Sequence, residues 1–255
     1  LVKNDAFKGK HRFSIFAVGL MLLFPAGLFA AERLTVGVAA NFILPFKALA
    51  QTFGRKHSIP VEATFTSSGN LYGQIINGAP YDLFLSADRE RPEKLFQNRL
   101  AEKPFVYARG KIVLWGLNKD LYSTDKWEKA LMLPSLKKIS IANPDTTPYG
   151  FATMKALQTI GQWPVVQNRL IFAQTIAQSF QYAHIGSVDA GFCAYSSIFT
   201  DEGNRGRHLL IYHAPDIIQA ACILKRTKIH NRAEAFAEFL ISPEAERIKQ
   251  TYGYR

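Results

Sequence analysis

A chain of 255 residues, 48% hydrophobic and 20% charged, has the make-up of an ordinary globular protein and room for one large domain or two lobes. Its net charge of +11 is spread along the sequence, with only short pairs such as Lys137-Lys138 and Lys225-Arg226, which argues against a nucleic-acid binder built on a clustered basic stripe. Its two cysteines and six histidines lack the spacing of a metal site.

Residues 1–30 read as a secretory signal peptide. Lys3, Lys8, Lys10 and Arg12 precede an uncharged apolar run over 13–28, and Phe29-Ala30-Ala31 offers small residues for cleavage after Ala30 or Ala31. The run falls short of the roughly 20 residues that span a bilayer. No cysteine stands at the cleavage point to take a lipid. Residues 1–30 carry a net +3, so the exported chain would keep about +8.

Strands and helices then alternate. A strand over 34–38 leads through Ala39-Ala40-Asn41-Phe42 into a helix over 42–57, with Phe46, Leu49, Ala50 and Phe53 on one face and Pro45 in its first turn. A strand over 61–65 leads through Thr66-Ser67-Ser68-Gly69-Asn70 into a short helix over 70–77. A buried strand over 82–86 precedes a helix over 91–98, and the next strand spans 111–115. Residues 118–134 read as loose structure. A strand over 139–142 leads through Thr147-Pro148-Tyr149-Gly150 into a helix over 151–160. A strand over 169–173 precedes a helix over 175–182, and strands follow over 190–194, 209–212 and 219–224. The last two helices span 232–240 and 242–252, the second starting on Ser242-Pro243-Glu244-Ala245.

This alternation predicts open parallel or mixed sheets with helices on both faces, which bind ligands at the carboxyl ends of strands. The strand-to-helix turns at Asn41, Ser68 and Tyr149 carry no charge. A helix start presents unpaired N–H groups and about half a positive charge, so such turns suit an anion held by neutral donors. Each has a structural reading too. Asn41 alone reads best as an N-cap; Ser67 and Ser68 suit capping or anion donation; Gly69 allows close approach to the backbone. A fourth start, Gln174-Thr175-Ile176-Ala177, offers Thr175 as N-cap and the Ile176 N–H as donor. Cys193 and Cys222 both lie in apolar strands, where pairing after export and burial as free thiols both fit.

No catalytic constellation competes. There is no G-x-S-x-G elbow and no Walker A loop. Asp82 and Asp88 bracket a strand and read as loop or capping acids, as do Asp145 and Asp189.

The motifs Thr35-Val36-Gly37-Val38-Ala39-Ala40-Asn41-Phe42, Phe65-Thr66-Ser67-Ser68-Gly69-Asn70-Leu71 and Gly78-Ala79-Pro80-Tyr81-Asp82-Leu83-Phe84-Leu85-Ser86-Ala87-Asp88 carry a family resemblance. So do Ala142-Asn143-Pro144-Asp145 with Pro148-Tyr149-Gly150, Gly191-Phe192-Cys193-Ala194, and Tyr252-Gly253-Tyr254. In order, they make the chain after residue 30 resemble the periplasmic molybdate-binding proteins of ABC transporters. The resemblance implies an α/β, two-lobed periplasmic-binding-protein-like fold, each lobe an open mixed sheet flanked by helices, with two crossing strands between lobes. Lobe I would take residues 32–110 plus 218–255, and lobe II residues 111–217.

It also implies an exported, monomeric, non-enzymatic protein of the periplasm. Such a protein captures molybdate, and tungstate with it, and delivers the oxyanion to an inner-membrane ABC permease, with no cofactor, no nucleic acid and no direct metal ligands. Carried over by motif, the oxyanion contacts are Asn41, Ser68, Tyr149 and Ile176, with Ala40, Ser67 and Gly69 as additional candidates. Many members carry Ser where this chain has Asn41. A tyrosine ligand found in some members would fall near Ala194, one position from Tyr195. The rival readings are the same fold binding sulfate or phosphate, and a hydrolase on a two-lobed α/β scaffold.

Overall fold

The computed structural model describes residues 33–255, so the expected signal peptide lies outside the described residues. The chain begins with β1 (Leu34–Ala39), a 3-10 turn (Ala40–Phe42), α1 (Ile43–His57), β2 (Val61–Thr66), α2 (Ser68–Ile76), β3 (Leu83–Leu85) and α3 (Glu90–Gln97). Next come β4 (Phe105–Gly110), β5 (Ile112–Gly116), α4 (Trp127–Ala130), β6 (Ile139–Ala142), α5 (Pro148–Thr159), α6 (Trp163–Val166), β7 (Leu170–Ala173), α7 (Ile176–His184) and β8 (Ala190–Ala194). It closes with β9 (Arg207–Leu210), β10 (Ile217–Ile223), α8 (His230–Leu240) and α9 (Pro243–Gln250).

The strands form two five-stranded mixed sheets, ordered β2-β1-β3-β10-β4 and β7-β6-β8-β5-β9. In the first, β2, β1 and β3 are parallel, with Val36 opposite Ala63 and Leu83, and β10 runs antiparallel to β3 and β4. In the second, β7, β6 and β8 are parallel, with Ile139 opposite Leu170 and Ala190, and β5 runs antiparallel to β8 and β9. Each sheet, with its helices, makes one lobe. The chain leaves the first sheet at Gly110 and enters the second at Ile112; it returns between Leu210 and Ile217.

Each lobe buries its own core. On α1, Phe46, Leu49 and Phe53 form a stripe that packs with Phe236 and Phe239 of α8. Burying aromatic side chains is among the largest stabilising terms a helix contributes. Trp127 and Phe192 anchor the second lobe. Residues 118–134, expected to be loose, hold a 3-10 turn (Lys119–Ser123) and α4, because Trp127 is fully buried and pins them to the lobe. β4 was not legible in the sequence: it ends on Arg109-Gly110, one residue before the more apolar β5, and its exposed Val106 and Arg109 blur the pattern. Cys222 and Cys193 are both buried free thiols; burial pushes the Cys222 thiol up to about 12 and Cys193 higher still.

Candidate functional site

Each lobe sends two chain starts to the inter-lobe junction from neighbouring parallel strands. In the first lobe β1 runs into the turn at Ala40–Phe42 and β2 into α2. In the second, β6 leads to α5 and β7 to α7. Adjacent parallel strands place their carboxyl ends side by side, which puts the following helix starts in one crevice. Asn41, Ser68, Tyr149 and Ile176 are each 5% exposed or less. Ala39 and Ala87 of the first lobe share one apolar cluster with Tyr149 and Ile176 of the second. Asn41 Nδ2 lies 3.4 Å from the Tyr149 hydroxyl.

The backbone donors at these starts can be accounted for one by one. In α2, the Asn70 N–H donates to Ser67 Oγ (3.2 Å) and the Gly69 N–H to Thr146 O across the junction (2.9 Å), which leaves Ser68. In α5, the Gly150 N–H donates to Thr147 Oγ1 (3.0 Å) and Phe151 to Thr147 O (3.0 Å), which leaves Tyr149, since Pro148 has no N–H. In α7, Gln178 donates to Thr175 Oγ1 (3.0 Å) and Ser179 to Thr175 O (3.1 Å), which leaves Ile176 and Ala177. The 3-10 turn leaves Ala40 and Asn41 without an acceptor inside it. Ser68 Oγ accepts the Ala87 N–H (2.9 Å), so its own proton stays available.

Several residue roles differ from expectation. Asn41 is not an N-cap: it sits inside the 3-10 turn, whose cap position is Ala39. Its amide donates instead to Gln219 Oε1 (2.8 Å) and the Tyr254 hydroxyl (3.1 Å). Both amide protons are therefore spent within the protein. Gly69 is occupied by Thr146 O, while Ser67 is the cap of α2 and Thr175 the cap of α7. The Tyr195 ring packs against Phe199, His208 and Gly253 and makes no hydrogen bond to Asn41, Ser68, Tyr149 or Ile176 among the described residues.

Sequence reasoning missed Tyr107, Ser196, Gln219 and Tyr254, which surround Asn41 and Tyr149. Tyr107 donates to Gln219 Oε1 (3.0 Å), and Gln219 Nε2 lies 3.4 Å from the Tyr149 hydroxyl. Gln219, buried in the middle of the apolar strand β10, was the available signal. Burial pushes the hydroxyl pKa of Tyr107, Tyr149 and Tyr254 upward, so all three stay neutral. Nearby, the buried Lys249 ammonium is held by Glu246 (2.7 Å) and the carbonyl of Tyr107. Asp88 accepts the Arg91 N–H in the first turn of α3 (2.9 Å), Asp82 accepts the Thr35 N–H (2.7 Å), and Asp189 accepts the N–H groups of Lys137 and Lys138. Among the described residues there is no group of three or more His, Cys, Asp or Glu that could hold a metal ion.

Two lobes joined by two crossings, with unspent N–H and O–H donors converging between them, define a cleft-type solute-binding protein. The chain matches the family model described as bacterial extracellular solute-binding protein over residues 34–255, and it belongs to that family. It is 36% identical over 244 residues to the molybdate-binding protein ModA of Azotobacter vinelandii, covering 92% of this chain and 96% of that protein. It is 35% identical over 227 residues to the ModA of Rhodobacter capsulatus, covering 88% and 89%. The solved structure of the Azotobacter vinelandii periplasmic molybdate-binding protein superposes with a TM-score of 0.82 at 33% identity, covering 88% of this chain and 99% of that one.

Proposed function

We propose that this protein is an exported periplasmic binding protein that captures molybdate, and tungstate with it, between its lobes and hands the oxyanion to an inner-membrane ABC permease. The observation that supports this reading is that the chain starts at Asn41, Ser68, Tyr149 and Ile176 are all buried and each keeps a donor that no protein acceptor takes, in a region where Ala39 and Ala87 of one lobe pack with Tyr149 and Ile176 of the other. A tetrahedral dianion is held well by several preorganised N–H and O–H donors in a water-poor site. The partial positive charges of the helix starts favour its negative charge.

In this reading Asn41, Tyr149 and Ile176 offer backbone N–H groups, Ser68 offers its hydroxyl, and Ala40 adds a further N–H. The lobes comprise residues 32–110 plus 218–255 and residues 111–217, residues 1–30 are removed on export, and the protein acts as a monomer. A binding role rather than catalysis is supported by the serines: Ser67 Oγ caps α2 and Ser68 Oγ accepts from Ala87, with no base joined to either among the described residues.

Melting the purified protein with molybdate, tungstate, sulfate and phosphate tests this. At a ligand concentration 100-fold above Kd, linkage contributes about 2.7 kcal/mol, a rise in Tm of about 5–10 °C. Molybdate and tungstate are expected to give that rise. A rise with sulfate or phosphate alone would reassign the ligand, and no rise with any of the four would reject the reading.

A further inference from the structure

The Asn41 turn is held from behind by a residue far along the chain. The Tyr254 hydroxyl donates to the carbonyl of Asn41 (2.6 Å) and accepts from Asn41 Nδ2 (3.1 Å). A phenol has one proton, and the short contact to the carbonyl takes it. Ser196 Oγ, from the second lobe, donates to the same carbonyl (3.1 Å) and lies 3.2 Å from the Tyr254 hydroxyl. One backbone carbonyl of the first lobe therefore receives a hydroxyl from each lobe, while the adjoining amide is clamped between Tyr254 and Gln219.

Tyr254 is itself fixed. Its ring is 3% exposed and packs edge-on against Phe42, with centroids 5.0 Å apart. The next residue pairs with β4 through Arg109 N–H to Arg255 O (2.7 Å) and Arg255 N–H to Arg109 O (3.2 Å). Gly253 makes the bend that allows this, at φ +75° with the Tyr195 ring where a Cβ would stand.

We propose that Tyr254 is a positioning residue of the oxyanion site: with Ser196 it fixes the Asn41–Phe42 peptide by its carbonyl, and with Gln219 it fixes the Asn41 side chain, so that Asn41 is held on both sides of its Cα and its own backbone N–H is kept facing the cleft. This rests on the oxyanion-binding reading above. Two hydrogen bonds on one carbonyl and two on one side-chain amide leave the turn little rotational freedom, and preorganised donors bind an anion more tightly than donors ordered on binding.

The test is calorimetric titration of the full mature chain with molybdate, alongside ligand-free melting, for the wild type, Tyr254→Phe, Ser196→Ala and the double variant. Tyr254→Phe keeps the ring packing and removes only the hydroxyl. It is expected to raise the molybdate Kd by about ten-fold. Ser196→Ala acts on the same carbonyl and is expected to raise it less, with a non-additive double variant. Tyr252→Phe removes a hydroxyl that makes no hydrogen bond among the described residues, and it should leave Kd unchanged. A lowered ligand-free Tm with unchanged Kd in both single variants would mean a purely structural role and overturn the proposal. If the wild type itself bound no oxyanion, the functional reading would fail first, which separates the two failures.

Discussion

Ser68 is the clearest single donor, because its oxygen already accepts from Ala87 and its proton has no other use in the hydrogen-bond network. In the proposed site, Ser68→Ala would remove a charge-assisted hydrogen bond to the oxyanion, worth about 1.5–3 kcal/mol, and is expected to raise Kd by one to two decades. The α2 cap at Ser67 stays intact, but the buried Ala87 N–H loses its acceptor, so the ligand-free protein should also lose about 1–3 kcal/mol of stability. Titration calorimetry on Ser68→Ala beside its melting curve checks both halves; an unchanged Kd would remove the second turn from the contact set. The tyrosines around the site make a second prediction. Burial raises the pKa of Tyr107, Tyr149 and Tyr254 above their ordinary value near 10, so none gains or loses a proton in the neutral range. Among the described residues no histidine is hydrogen-bonded to Asn41, Ser68, Tyr149 or Ile176, and a molybdate Kd measured between about pH 6 and 9 should stay flat. A titration step near pH 7 would point to a histidine at the site.

At the scale of elements, the alternation of strand and helix was legible because parallel strands buried on both faces, such as β1 and β6, read as uninterrupted apolar runs. The caps at Ser67, Thr175 and Ser242 were legible because capping chemistry is local, whereas α5 starts at Pro148 behind a Thr147 cap, three residues before the expected 151. β4 and α4 were not, since burial of Tyr107 and Trp127 by distant segments decides them. The network around Asn41 was illegible for the same reason: its partners lie 108, 178 and 213 residues away.

Gly69 links the elements to motion. Its N–H bonds Thr146 O between the lobes, and a Cβ there would stand 2.9 Å from that oxygen and 3.0 Å from Thr146 Cα. Alanine is favoured over glycine in a helix by about 1 kcal/mol, so α2 itself does not suffer. Gly69→Ala should therefore keep the ligand-free Tm but hold the lobes apart. It should raise the molybdate Kd by about ten-fold or more and leave a larger radius of gyration by small-angle scattering in saturating ligand. A scattering curve and a Kd identical to the wild type would show that Thr146 yields.

At the scale of the whole molecule, two sheets of the same parallel-plus-antiparallel build each present a pair of helix starts to the other. Ligand caught between two lobes touches both, so its binding energy favours the closed arrangement. A groove of about 720 Å³ beside the junction, lined by Arg91 and Lys94 of one lobe and Asp145 and Phe151 of the other, marks where the lobes part at the surface. Charge thus stays at the rim while the centre remains neutral. The guanidinium of Arg91 is engaged by Asp88 and reaches Asp145 O at 3.5 Å. The central claim, a neutral site that selects molybdate, is tested most directly by calorimetric titration of the mature protein with molybdate in competition with sulfate. One molybdate should bind per chain, at least about ten-fold more tightly than sulfate. Sulfate bound as tightly as molybdate, or no heat of binding with molybdate, would contradict it.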